Sequence, residues 1–324
     1  MQIISNMEKS AKQRAIDSVK EILPKTLKTC LWLVKVTVLI SIGILFLRYL
    51  NILPWFSKLI SPVFNIIGLP GEAALSYVTG YFVNVYSAIA VMVTLHMDMR
   101  AITILSVMVL CSHNMITETA VQKKTGSSAV RMVIIRTLSA FVLGFVLNLV
   151  MPGEVASQSS QSYLANVPFI DMVREWFNTT ITVVIKMVVL IFTLSVMQRL
   201  LSEFGIIRWI SKFLRPILAI FGLPAKTSFL WIVANILGLA YGAAVMIEEY
   251  ESGKVGKEDI DLLNHHIAIS HSNLEDVILL ASIGAMAVWL LFSRWFMSFL
   301  LVWELRLEMA IRKNFITLPV DSHN

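Results

Sequence analysis

Apolar stretches of about 20 residues recur along the whole chain, and a helix of this length crosses the hydrocarbon core of a bilayer. The clearest stretches cover residues 30–50, 130–151, 181–201 and 283–303. Weaker stretches, interrupted by polar residues, cover residues 71–95, 101–121, 225–247 and 260–281. Hydrophobic residues make up 57% of the 324 residues and charged residues 15%, which is outside the balance of a soluble domain. Because strand-like alternation is absent, the sequence predicts an all-α polytopic membrane protein.

The two halves of the chain are similar to each other. The segment SPVFNIIGLPGEA in the first half resembles RPILAIFGLPAKT in the second, at an offset of 154 residues. Further pairs in the same order are a Ser-His dipeptide, an intramembrane arginine and two more basic residues: Ser112 and His113 with Ser270 and His271, Arg136 with Arg294, Lys35 with Lys186, and Arg48 with Arg199. Four landmarks in one order indicate an internal repeat.

The basic residues predict the orientation of the halves. Six lysines and arginines precede the first apolar stretch, and others follow the first stretch of the second half and the last stretch of the chain. The connector over residues 151–172 has none. By the positive-inside rule, both termini are expected in the cytoplasm of a bacterial-type inner membrane and the connector outside. The halves then form an inverted-topology repeat, an arrangement typical of secondary transporters.

Each repeat is expected to contain a full span, an interfacial helix, a re-entrant hairpin, a helix interrupted at Ser-His, and a second full span. The interfacial helices are predicted over residues 55–67 and 208–221, and the hairpin tips near Asn84, Tyr86 and Ser87 and near Asn235 and Tyr241. The alternative is that each of the two hairpin segments is an ordinary membrane span. The predicted divisions are an amphipathic cytoplasmic segment, repeat 1, an external linker, repeat 2 and a cytoplasmic tail: 1–27, 28–151, 152–176, 177–305 and 306–324.

Four segments carry a family resemblance: GLPGEAALSYVTGYFVNVYSAIAVM and RAITILSVMVLCSHNMITE, with their second copies GLPAKTSFLWIVANILGLAYGAAVM and LLNHHIAISHSNLEDVILLASIGA. They resemble the nucleoside-recognition or gate membrane proteins, which include the concentrative nucleoside transporter core, the gate of bacterial ferrous-iron transporters and the spore maturation membrane proteins. The resemblance implies that hairpin tips and unwound helices of both repeats meet around one solute. The hairpin-start acid of nucleoside transporters would be Glu72, but the second copy has Ala225 or Lys226 there. The cysteine motif of the iron gates has no clean equivalent, although Cys111 lies just before the first Ser-His.

Polar residues at the two Ser-His interruptions and the two hairpin tips are the predicted solute-binding residues: Ser112, His113, Asn114, Glu118, Ser270, His271, Ser272, Asn273, Asp276, Asn84, Tyr86, Asn235 and Tyr241. Ionisable groups inside a membrane are costly and tend to mark pathways. A histidine there is suited to solute hydrogen bonding, proton coupling or metal ligation, so His113 and His271 are the candidates if a metal binds. The alternative is that these histidines only form hydrogen bonds between neighbouring helices.

Two matched pairs of basic residues and one acid are predicted to serve in charge pairing or ion coupling: Arg136, Arg294, Lys35, Lys186 and Glu275. The carboxylates near the Ser-His interruptions would either bind a cation or neutralise the two arginines. Paired basic residues also allow an anionic substrate.

No catalytic motif was found, so the sequence predicts a protein that is not an enzyme and has no cofactor. The favoured function is a transporter of a small polar or charged solute, nucleoside-like or another organic molecule, that works by alternating access. A divalent-metal transporter of the ferrous-iron type and a non-transporting scaffold or partner subunit are the alternatives. The net charge of +6 points to membrane lipid as a partner and not to nucleic acid. A homo-oligomer is compatible with the sequence.

Overall fold

The computed structural model describes residues 10–95, 97–152 and 168–316, and these ranges contain helices and connecting turns but no strand. Five helical segments of the described ranges are long and apolar enough to cross a membrane, the second of them interrupted after Ser112: Ala11–Tyr49, Met99–Lys124, Ala129–Val150, Phe169–Glu203 and Ala287–Asn314. The predicted all-α polytopic membrane fold is therefore confirmed.

The first repeat contains seven helices in the described ranges: α1 (Ala11–Tyr49), α2 (Leu53–Ile66), α3 (Ala73–Phe82), α4 (Val85–Met92), α5 (Met99–Ser112), α6 (Met115–Lys124) and α7 (Ala129–Val150). The second repeat has the same series: α8 (Phe169–Glu203), α9 (Ile206–Ile220), α10 (Ser228–Ile236), α11 (Gly238–Glu251), α12 (Lys257–Ser270), α13 (Glu275–Ala281) and α14 (Ala287–Ile316). A 3₁₀ turn, Ala225–Thr227, precedes α10. The pairs α3–α4 and α10–α11 are the two helical hairpins.

The repeated Gly-Leu-Pro motif ends α2 and α9 in the same way. Gly68 and Gly222 have φ of +74° and +75°, a left-handed conformation that glycine adopts without steric cost. The next amide closes the helix end, since Leu69 donates to the carbonyl of Phe64 at 2.9 Å and Leu223 does the same in the second repeat. The proline that follows cannot continue a helix, so the chain turns into the hairpin.

Contacts between the repeats show that they are inverted relative to each other. Arg14 near the start of α1 pairs with Glu203 at the end of α8, at 3.0 Å, so these helices are antiparallel. The end of α6 contacts α12 near its start, where Ser127 donates to Asp261 at 2.5 Å. We call the side of the molecule where α1 begins and α8 ends the N-terminal face, and the other side the opposite face. The end of α14 also lies at the N-terminal face, because Arg306 donates to the carbonyl that follows α9.

The interrupted helices α5 and α12 form the centre of the molecule. Every residue of α5 from Thr103 to Ser112 is buried, and so is nearly every residue of α12 from Ile260 to Ser270. By contrast, α1, α7, α8 and α14 expose many large apolar side chains, as expected of helices that face lipid. The central helices are therefore shielded from lipid, and polar groups on them can be satisfied only by protein or by water.

Three predicted boundaries differ from the helices. The segment predicted over 1–27 is not separate from the first span, because α1 is continuous from Ala11 onward, while residues 1–9 lie outside the described ranges. The external linker predicted over 152–176 is already helical from Phe169, and residues 153–167 are not described. The tail predicted over 306–324 continues α14 as far as Ile316. In each case the helix extends by two or more turns beyond the apolar stretch that defined the prediction.

Candidate functional site

Both central helices are interrupted immediately after Ser-His. The helix α5 ends at His113, whose backbone is extended (φ −63°, ψ 160°), and Asn114 then adopts a left-handed φ of +50° before α6 begins. The second repeat repeats this geometry, since His271 is extended and Ser272 has a φ of +51°. A left-handed conformation at a residue other than glycine is uncommon, and such strain clusters at functional sites.

Each interruption is held by the hairpin of its own repeat. The Asn114 amide donates to the carbonyl of Gly80 in α3 at 2.9 Å, and the Ser272 amide donates to the carbonyl of Ala234 in α10 at 3.1 Å. These bonds supply acceptors for amides that an uninterrupted helix would have satisfied internally. The hairpins therefore hold the broken conformation open.

Two fully buried arginines satisfy the carbonyls that the interruptions release. Arg136 of α7 donates to the carbonyls of Cys111 and His113 at 3.1 and 2.6 Å. Arg294 of α14 donates to the carbonyls of Ile269 and His271 at 3.3 and 3.1 Å. These matched arginines are positioning residues that stabilise the unwound backbone.

The two histidines meet at the centre of the molecule. His113 Nε2 lies 3.3 Å from His271 Nε2. The Oε1 atom of Glu118, one turn into α6, lies 3.2 Å from the first of these nitrogens and 3.1 Å from the second. Asp276 at the matched position of α13 places Oδ2 3.6 Å from His113 Nε2. Side chains from both repeats thus converge on one point.

The carboxylates around this point have different partners. Glu118 Oε2 forms an ion pair with Arg136 at 2.7 Å. The matched arginine does not repeat this pairing among the described residues, because Arg294 Nη2 donates to Asn273 Oδ1 at 2.6 Å. Glu275 accepts a hydrogen bond from the Tyr86 hydroxyl, which ties the tip of the first hairpin to α13. The internal symmetry is therefore broken at the acids.

A cavity of about 390 Å³ lies between the two hairpin tips and the two interruptions. Its lining includes eight predicted solute-binding or coupling residues: Asn84, Tyr86, His113, Asn114, Glu118, Ser272, Glu275 and Asp276. It is completed by residues of the tips, α6 and α11: Val85, Thr117, Val121, Leu237, Gly238 and Ala243.

The sequence pattern of the Gate family, described as nucleoside recognition, matches residues 30–152 and 184–303. The chain belongs to this family. The two matched ranges coincide with the two structural repeats, which we call the Gate repeats from here on. The chain is also similar to the uncharacterized membrane protein YvoD of Bacillus subtilis (strain 168), with 29% identity over 259 residues, or 79% of this chain and 83% of the relative. No solved structure matches the chain.

Several predicted residues lie behind the cavity and do not line it. The Ser112 hydroxyl bonds to the Tyr77 hydroxyl at 3.1 Å, and the Ser270 hydroxyl lies 2.7 Å from His266 Nδ1. Asn235 accepts from Asn273, so these amides join the second hairpin to the second interruption. These bonds lie within one Gate repeat or the other, and each stabilises the internal packing of its own repeat. The Tyr241 side chain is not described.

The paired lysines lie away from the centre. Lys35 and Lys186 are both exposed on the outer helices α1 and α8. Lys186 lines a second cavity of about 470 Å³, which lies toward the opposite face between α4, α5, α8 and the turn after α13. None of the residues that interrupt the central helices lines that second cavity.

Sequence reasoning missed some residues of the site. Gly238, with φ of +76°, forms the tip of the second hairpin; the sequence places this tip near Asn235 and Tyr241, on either side of Gly238, but Gly238 is not among the predicted site residues. The offset of 154 residues that relates the Gly-Leu-Pro motifs also relates Asn84 to Gly238, and would have identified it. Thr117 and Ala243 carried no such signal, because both are unremarkable residues on helical segments.

Proposed function

We propose that the protein is a transporter that carries a small charged solute across the membrane by alternating access at the interface of its two Gate repeats. The observation that carries this proposal is the central cavity, which is lined by the hairpin tips and helix interruptions of both inverted repeats. In inverted-repeat transporters, discontinuous helices of this kind form the substrate site near the middle of the bilayer.

The cavity is asymmetric in a way that alternating access requires. From the centre it extends along Val121 of α6 and Ala243 of α11, both of which lead to the N-terminal face. The residues at the matched positions on the other side, Leu279 and Ile89, are packed in the core with 3% and 2% exposure. If the path along Val121 and Ala243 closed and the packing around Leu279 and Ile89 loosened, the cavity would open to the opposite face.

The charges around the cavity favour a cation. Three carboxylates, Glu118, Glu275 and Asp276, line it. Arg136 pairs with Glu118, but among the described residues neither Glu275 nor Asp276 forms an ion pair with a lysine or arginine, and Arg294 directs its donors at backbone carbonyls and Asn273. A neutral nucleoside or an anion would leave part of this negative charge unpaired. We extend the proposal to an N-terminal face in the cytoplasm of a bacterial-type membrane, as the basic residues favour, and to transport without catalysis or a resident cofactor.

Cysteine labelling from each side of the membrane tests the proposal. Both native cysteines, Cys30 and Cys111, are buried and are replaced by alanine. Single cysteines are then introduced by Val121→Cys, Ala243→Cys and the matched control Leu279→Cys. Right-side-out and inverted membrane vesicles are treated with a membrane-impermeant maleimide.

We expect V121C and A243C to react only from the N-terminal face, and L279C to react slowly and only from the opposite face. A bifunctional maleimide that joins V121C to A243C should close the cavity and increase labelling of L279C in the triple variant. Labelling of V121C from both sides at similar rates would indicate a channel and contradict the proposal. An L279C rate that the crosslink leaves unchanged would favour the scaffold alternative and overturn it as well.

A further inference from the structure

The hydrogen bonds of the two histidines determine which nitrogen carries the proton. His113 Nδ1 lies 3.2 Å from the carbonyl of Val109, and His271 Nδ1 lies 2.7 Å from the carbonyl of Ile267. A carbonyl oxygen only accepts, so Nδ1 must be the donor in each ring. In the neutral rings both Nε2 atoms therefore present a lone pair, and both face the centre. Metal-binding histidines are oriented by the same kind of bond to a carbonyl.

The spacing of the central atoms matches the coordination sphere of a small metal ion. Ligand atoms about 2.0–2.1 Å from a tetrahedral zinc lie about 3.3–3.4 Å from one another. Here the separations are 3.3 Å between the two Nε2 atoms, and 3.2 and 3.1 Å from these to Glu118 Oε1. The three atoms thus form one face of such a tetrahedron, and their mutual distances lie within 4.8 Å.

The fourth side chain comes from the second repeat. Asp276 occupies the position matched to Glu118, lines the cavity, and has Oδ2 3.6 Å from His113 Nε2. A shared proton would join two acceptor atoms, whereas here three acceptor atoms lie within 4.8 Å of one another and the Asp276 carboxylate lies beside them, next to His113. A metal cation has several coordination positions, so one bound cation would account for all of these acceptor side chains.

The ligand chemistry selects the class of metal. Imidazole nitrogen combined with carboxylate oxygen suits Zn²⁺, Fe²⁺, Co²⁺ and similar first-row ions, while Mg²⁺ and Ca²⁺ take oxygen ligands. The two carboxylates balance the charge of a divalent ion, although Glu118 shares its charge with Arg136. The second oxygen of Glu118 is thus oriented by an arginine, and its first oxygen faces the histidines.

We propose that a divalent first-row transition-metal ion binds between the repeats to His113, His271 and Glu118, that it draws in the neighbouring Asp276 carboxylate as its fourth ligand, and that this ion is the transported solute. Only the statement that this ion is the transported solute rests on the proposed function. The binding site itself depends on the geometry of the three converging side chains and the adjacent Asp276.

Metal binding to the purified, untagged protein tests the site directly. The metal-free protein is titrated with Co²⁺, whose visible absorption reports tetrahedral coordination, and with Zn²⁺ in competition. His113→Gln and His271→Gln are compared with His265→Gln, a buried histidine of α12 outside the ligand set. We expect one ion per chain and at least about 100-fold weaker binding in the two ligand variants. The control should bind as the wild type does.

Either of two results would overturn the site: no Co²⁺ or Zn²⁺ binding by the wild type, or binding that H113Q and H271Q leave unchanged. A thermal unfolding scan in the absence of metal shows whether each variant is folded. Should H113Q fail to fold, H271Q and Asp276→Asn give the same comparison.

The labelling experiment and the metal-binding experiment test the transport proposal and the metal site independently. The labelling experiment needs no metal. Alternating labelling without any metal binding would therefore refute the proposed metal site and leave the transport proposal standing. Metal binding without alternating labelling would refute the transporter and the role of the ion as cargo.

Discussion

The ion pair between Arg136 and Glu118 offers the sharpest test of how the interruptions are held. Arg136 is fully buried and Glu118 is 4% exposed, and their charged atoms are 2.7 Å apart. Arg136→Met would leave a buried carboxylate without its partner, which costs about 3–5 kcal/mol. It would also remove the donor from the Cys111 and His113 carbonyls, at about 1 kcal/mol each. We expect the free energy of unfolding to fall by about 5 kcal/mol.

A double-mutant cycle separates the ion pair from the carbonyl bonds. With Arg136→Met, Glu118→Gln and the double variant, we expect a coupling energy of about 3 kcal/mol, which is roughly 150-fold in the unfolding equilibrium. The control cycle uses Arg131 and Glu304, which are 2.9 Å apart at the N-terminal face with Glu304 58% exposed. Exposed pairs of this kind couple by less than about 1 kcal/mol.

The assay is equilibrium unfolding in mixed detergent micelles with increasing sodium dodecyl sulfate, followed by tryptophan fluorescence. Should Arg136→Met not fold, Arg136→Lys keeps the charge but offers a single ammonium, and the cycle is repeated with it. A coupling energy for the buried pair no larger than that of the surface pair would refute the assignment of Arg136 as the group that stabilises Glu118.

Three further substitutions test the backbone and the packing, each by the same unfolding assay. Gly238→Ala should cost at least about 1 kcal/mol because φ is +76°, whereas Gly43→Ala, with no atom within 4 Å of the new Cβ, should be neutral or slightly stabilising. Gly68→Ala should be more harmful than Gly238→Ala, since its Cβ would lie 2.1 Å from an amide oxygen in addition to the positive φ. Thr103→Val should cost about 1–3 kcal/mol, because its buried hydroxyl accepts the amide that precedes α14 at 2.9 Å. The matched Thr182→Val removes only an exposed bond within one helix and should change stability by less than about 0.5 kcal/mol.

Much of the fold follows from local signals in the sequence. The Gly-Leu-Pro motif predicts a helix end because glycine and proline act on the backbone wherever they occur, and both copies do end helices. Basic residues predicted the inversion, and the contact of Arg14 with Glu203 agrees with it. The interruption at Ser-His was inferred from polarity inside an apolar stretch, since buried polar groups need a partner.

The orientation of individual side chains could not be predicted in this way. Ser112 and His113 are neighbours, yet the serine bonds to Tyr77 behind the cavity while the histidine faces its counterpart. Which of the two faces inward depends on the rotation of α5 against α3, and this is decided by packing between distant segments. Arg294 likewise donates to Asn273 and not to a carboxylate, a choice that the spacing of charges along the chain does not specify.

The proposed ligand set also suggests how a bound ion would be released. His113 and Glu118 belong to the first repeat and His271 to the second. With the adjacent Asp276 of the second repeat drawn in, each repeat supplies two ligands of the proposed site. Movement of one repeat relative to the other would separate the two pairs and leave the ion with half of its coordination sphere. Because an ion held by two side chains binds far more weakly than one held by four, rocking of the repeats would weaken binding at the same step that opens the cavity. A site built entirely within one repeat would lack this coupling. Substitution of Asp276 by asparagine should therefore speed release of the ion more than it changes the labelling of Val121→Cys, and stopped-flow dissociation of Co²⁺ into a chelator would measure the difference.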